Sequence, residues 1–157
     1  MRMEGFAVQP DAYMSALKNR GYRATGKRRE ILSFLLDENR YVSAREIIDH
    51  MREKHPTLSL ETVYRNLRTM QTEGIIEESR FKEGESKYRI ACQTDHHHHY
   101  ICIRCGRTLV IKHCPMPDLG RAPEGFTVLG HRFEVLGYCP DCRRSEPDPQ
   151  DHMPEGR

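Results

Sequence analysis

A chain of 157 residues with 37% hydrophobic and 31% charged side chains can hold one ordinary domain or two small ones, and none of its apolar runs is long enough to span a bilayer. The start, Met1-Arg2-Met3-Glu4-Gly5-Phe6, lacks the apolar core of a signal peptide, so a cytoplasmic protein with reduced thiols is expected. The net charge is only +2, but between Lys18 and Arg45 eight Lys or Arg outnumber three acids, which puts any nucleic-acid face in the N-terminal part.

Tyr13, Ala16 and Leu17 fall at helical spacing between Asp11, the expected N-cap, and Arg20. Thr25 caps a second helix whose apolar face is Ile31, Leu32, Leu35 and Leu36. Its first turn carries Lys27, Arg28 and Arg29, cations that oppose the helix dipole and so point to an anionic partner such as phosphate. Ser43 and Glu46 form a capping box that opens a third helix, with Ile47, Ile48 and Met51 inward. Ser59 begins a fourth, in which Leu60, Val63, Leu67 and Met70 make one stripe and Gly74 is the expected terminator. Its other face carries Thr62, Tyr64, Arg65, Asn66, Arg68 and Thr69, hydrogen-bonding types suited to base edges and phosphates. Ile75-Ile76 and Lys87 to Ile90 read as a hairpin around a Gly-containing turn. Helices followed by a hairpin wing predict a winged helix-turn-helix domain over residues 1–90.

Three of the six cysteines and four of the nine histidines lie between Cys92 and Cys105. The His run flows into Tyr100-Ile101-Cys102-Ile103, a strand pattern, which argues against an expression tag. Thr108 to Ile111 is the expected partner strand, and Phe126 to Gly137 reads as another. The pairs Cys102/Cys105 and Cys139/Cys142 are the C-x-x-C pattern of structural zinc rather than a disulfide framework, and thirty-three intervening residues require a small sheet to bring them together. In an extended segment His97 and His99 share one side and His96 and His98 the other. Cys92, His97 and His99 then make three ligands of a second zinc site, with Glu77 or Glu78 of the wing as the fourth; His96 and His98 could pair with His131 and an acid such as Asp118. Cys114 reads as a packing thiol. The metal-binding part spans 91–145, and 146–157 is an expected disordered tail.

With T-V-Y-R at Thr62 to Arg65 and H-H-H-H-x-x-C-x-x-C-G downstream, residues 13–142 resemble the ferric uptake regulator superfamily of bacterial metalloregulators. Within it, Cys92, the block Cys114-Pro115-Met116 and the run from Gly130 to Cys142 look most like the zinc uptake regulators. The resemblance implies an α+β homodimer, with an N-terminal winged helix and a small C-terminal α/β dimerisation domain. It implies sensory zinc on Glu77, Cys92, His97 and His99, and a further site on His96, His98, His131 and an acid near Asp118. DNA contacts would fall on Tyr64 and Arg65, with Thr62 and Arg23 in support. Iron and peroxide sensors usually carry a His ligand where this chain has Tyr41. The expected function is a zinc-responsive repressor of zinc uptake genes that binds an inverted-repeat operator in double-stranded DNA. The alternatives are an iron, manganese or peroxide sensor of the same fold, or, from other classes, a zinc enzyme or a zinc buffer. No H-E-x-x-H occurs to support an enzyme.

Overall fold

The computed structural model describes residues 9–81, 84–92, 97–111, 113–114, 122–131 and 133–144. The chain divides into two compact units, Met1–Ala91 and Cys92–Arg157.

The N-terminal unit runs α1 (Pro10–Asn19), α2 (Gly26–Glu38), β1 (Val42–Ser43), α3 (Ala44–Arg52), α4 (Leu60–Thr72), β2 (Ile76–Arg80) and β3 (Ser86–Ile90). Pro10 begins α1 because its fixed φ suits a first helical residue and its missing N–H is one the helix would not use. Asp11, expected as the cap, therefore lies inside the first turn, where it pairs with Arg29 at 2.8 Å. The caps at Thr25 and Ser59 accept from the backbone N–H three residues on, and at Ser43 the reciprocal box with Glu46 is complete. After α4, Gly74 takes φ 67°, its N–H donating to Gln71 O while Ile75 N–H donates to Met70 O, both at 2.9 Å. This is a Schellman termination, which needs the left-handed residue. Gly74→Ala is expected to destabilise this unit by about 1–2 kcal/mol, read as a lowered midpoint in denaturant unfolding.

Helical periodicity places Leu17, Ile31, Leu32, Leu35, Ile47, Met51, Val63, Leu67 and Met70 in one core, each at most 1% exposed. Two positions depart from the sequence pattern. Leu60 is 39% exposed rather than part of the buried stripe, and Asn66, expected on the outer face, is buried. An amide can sit there because both its ends are satisfied: Oδ1 accepts from Arg28 Nε at 3.2 Å and Nδ2 donates to Thr62 O at 2.8 Å. The strands form an antiparallel sheet in the order β1-β3-β2, so the hairpin gains a third, two-residue strand too short to show periodicity in sequence.

The C-terminal unit is a second three-stranded sheet, β5-β4-β6, from β4 (His98–Cys102), β5 (Thr108–Ile111) and β6 (Glu134–Gly137), followed by the short helix α5 (Pro140–Arg144). β4 pairs antiparallel with β5 and parallel with β6. Of the strand expected from Phe126, residues 134–137 are the ones that pair among the described residues. The chain after Cys142 is helical through Arg144, and the expected tail lies outside the described residues. The buried apolar side chains described in this unit are Ile101 and Cys102, a small core by any standard. No helix among the described residues is long and apolar enough to cross a membrane.

Candidate metal centres and nucleic-acid face

The sheet solves the spacing problem of the two thiol pairs. Cys102 ends β4, Cys105 follows in a turn that Gly106 completes at φ 75°, and β6 runs parallel to β4 with Gly137 opposite Cys102, delivering Cys139 and Cys142 beside the first pair. All four sulfurs lie within 4.8 Å of one another, with Cys105 Sγ 3.7 Å from Cys139 Sγ. Burial opposes ionisation of Cys102, but backbone N–H groups of Cys105, Cys139 and Arg104 outweigh it and bring this thiol down to about 6. The Cys139 N–H donates to Cys102 Sγ, with N···S 3.3 Å. Burial, then hydrogen bonding to Cys139, Cys105 and Cys102, drives Cys142 up to about 12. The Cys142 backbone N–H likewise lowers Cys139, whereas burial raises Cys105, so the protein alone favours two thiolates and opposes the other two; four coexist only around a cation, and this donor set fits tetrahedral zinc.

A second group brings together Cys92, His97 and His99. Cys92 Sγ is 3.5 Å from His99 Nε2, and the two imidazoles meet edge-on with centroids 4.8 Å apart. His99 is buried and the other two are half-buried. The expected fourth ligands are engaged within the N-terminal unit. Glu77 accepts from the buried Tyr41 hydroxyl at 3.0 Å and from Arg89 Nε at 3.2 Å, while the Arg89 guanidinium lies 5.6 Å over the Tyr41 ring. Glu78 accepts from Gln71 Nε2 at 2.9 Å and from the Ser86 hydroxyl.

The third group adds a donor to the sequence reading. His98 and His131 converge, and beside them lies Cys114, read from sequence as a packing thiol. His96 and Asp118 lie outside the described residues. Nothing in the spacing could reveal Cys114, whose partners stand sixteen and seventeen positions away and are brought to it only by the fold.

On the outer face of α4, Tyr64, Arg65, Arg68 and Thr69 line an open groove with Tyr22, Leu60, Glu61 and Thr72. Tyr64 is 40% exposed and Arg65 is exposed. Thr62 is half-buried beside the cap, its hydroxyl 2.9 Å from that of Ser59. Arg23 is exposed, and its carbonyl accepts from Arg28 Nη1 at 2.7 Å. The cationic turn of α2 is largely absorbed by the fold: Arg28 turns to Asn66 and Arg23, Arg29 to Asp11, leaving Lys27 exposed.

Comparison with known proteins supplies the family. Residues 19–136 match the model of the ferric uptake regulator family. The ferric uptake regulation protein of Staphylococcus aureus is 40% identical over 127 residues, 81% of this chain and 93% of that protein. Among solved structures, the Helicobacter pylori ferric uptake regulator superposes with a TM-score of 0.66 at 23% identity, covering 94% of this chain and 99% of that one. A zinc uptake regulator complexed with zinc and DNA superposes with a TM-score of 0.62 at 24% identity, covering 88% and 98%. These two likenesses speak for the fold, and the first two for descent. The chain belongs to the ferric uptake regulator family, and is a metal-responsive, DNA-binding transcriptional regulator rather than an enzyme.

Proposed function

We propose that the protein is a zinc-responsive transcriptional repressor of zinc uptake genes, acting in the cytoplasm, that binds an inverted-repeat operator as a homodimer when zinc is bound. The observation that carries this reading is the thiol of Cys92 beside His97 and His99. A thiolate with two imidazoles is a set that zinc accepts and manganese does not favour. Tyr41 supports it: by the resemblance, iron and peroxide sensors usually carry a histidine ligand here, whereas this chain has a buried phenol that donates to Glu77. Cys102, Cys105, Cys139 and Cys142 would hold a separate structural zinc, supplying cohesion to a unit with little apolar core. Glu77 remains the proposed fourth sensory ligand, with Tyr41 and Arg89 both held on its Oε1. On the DNA side, Tyr64 and Arg65 would read bases from the exposed face of α4, with Thr62 and Arg23 toward the backbone.

A useful switch requires only about 1–3 kcal/mol of coupling between zinc and DNA. The test is operator binding under buffered free Zn²⁺, Mn²⁺ and Fe²⁺ in turn, with Cys92→Ser alongside. Zinc alone should raise affinity, roughly 5- to 150-fold for that coupling, and Cys92→Ser should abolish the rise while the protein stays folded. A second reading, an iron-responsive regulator, is favoured by the name of the Staphylococcus aureus relative. Equal activation by Fe²⁺ with a silent Cys92→Ser would establish it and overturn zinc sensing.

A further inference from the structure

We propose that Cys114 is a metal ligand, and that His98, Cys114 and His131 form a thiolate-containing site for zinc or a similarly soft divalent ion. The family resemblance implies His98 and His131 at a further site and no thiol; the geometry adds a sulfur, which changes the class of ion it takes. The three donor atoms form a nearly equilateral triangle: His98 Nε2 to Cys114 Sγ 3.4 Å, Cys114 Sγ to His131 Nε2 3.3 Å, and His131 Nε2 to His98 Nε2 3.2 Å. Around a tetrahedral zinc with Zn–N of about 2.0–2.1 Å and Zn–S of about 2.3 Å, the edges are about 3.3–3.4 Å between nitrogens and about 3.6 Å between nitrogen and sulfur. The triangle is within a few tenths of an ångström of that shape.

Hydrogen bonding alone does not account for it. Each Nε2 has a single in-plane direction and is either a donor or an acceptor along it, so one proton from a ring and one from the thiol can satisfy two of the three contacts. The third sets two ring nitrogens 3.2 Å apart with no hydrogen to spare. A cation at the centre satisfies all three at once. His98 is 3% exposed and packed edge-on against Phe133, centroids 5.6 Å apart, so its ring is held in place; Cys114 is half-buried and His131 exposed, leaving a way in. The ligands come from β4, the segment after β5 and the segment before β6, so the bound ion would cross-link three stretches of one unit. A carboxylate here would admit Mn²⁺ or Mg²⁺, whereas the sulfur selects against them.

The test uses the full chain carrying Cys92→Ser, so that its outcome is independent of the sensory site proposed above. Protein purified with zinc retained on the four-cysteine site is titrated with Co²⁺, followed by thiolate-to-cobalt charge-transfer absorption, and then with Zn²⁺ against a chromophoric chelator. The expected result is one further equivalent with a single-thiolate band. Adding Cys114→Ser removes the band and weakens zinc by more than about 100-fold, beyond the usual loss of an outer-shell partner. Cys114→Asp restores an equivalent without the band and moves preference from Zn²⁺ toward Mn²⁺; circular dichroism confirms that each variant is folded. No further equivalent in Cys92→Ser, or an unchanged band after Cys114→Ser, overturns the assignment, as does an unchanged Zn²⁺ over Mn²⁺ preference in Cys114→Asp.

Discussion

Replacing Cys102 with alanine is expected to strip the four-cysteine site of its ion and leave the C-terminal unit unfolded, with the N-terminal unit intact. Structural zinc contributes on the order of 10 kcal/mol to small metal-dependent folds at neutral pH, as much as a domain's whole net stability. The unit has little to set against that loss, since Ile101 and Cys102 are the buried apolar side chains described there. The N-terminal unit keeps its own core from Leu17 to Met70. Zinc content by elemental analysis and amide exchange resolved by segment check this: β4, β5 and β6 should lose protection while α2, α3 and α4 keep theirs. Retention of a full zinc equivalent with a protected β4 would refute it. Acid acts in the same direction. In the folded protein Cys102 is lowered to about 6 from the ordinary thiol range, so the stability its thiolate contributes is present above that ordinary range and is lost as pH falls through about 6.

Arg65→Ala carries the other large effect. An arginine reading guanine through both acceptors contributes about 1–3 kcal/mol of discrimination, so affinity for the operator should fall roughly 5- to 150-fold while random duplex binding changes little. Anisotropy titrations on both duplexes at one salt concentration measure the ratio. Lys27→Ala is the control, because an exposed cation on α2 should weaken both alike and lower the salt slope by about 1. Equal losses on both duplexes for Arg65→Ala would remove this residue from base readout.

Much of this protein was legible before any coordinates. Thr25, Ser43, Ser59 and Gly74 announce helix ends because caps and left-handed terminators are local chemistry, settled by side chains within three or four positions of one another. The doubled C-x-x-C and the alternation along the His run belong to the same class: His97 meets His99 and His98 meets His131, as opposite sides of an extended segment require.

What the sequence hid lies between residues far apart in the chain. Asn66 looks like an outward polar residue until Arg28, thirty-eight positions away, satisfies its amide. Glu77 looks like a bare carboxylate until Tyr41 and Arg89 are seen donating to its Oε1. Cys114 looks like a packing thiol until β4 and the segment before β6 bring two imidazoles to it. By itself the sequence determined the helices and their ends, the paired thiols and the sides of the His run, because those follow from dihedral preference and short-range period. The tertiary structure alone decided which donors share an ion and which polar groups are already satisfied, because those depend on strand pairing and burial, and no local spacing encodes them.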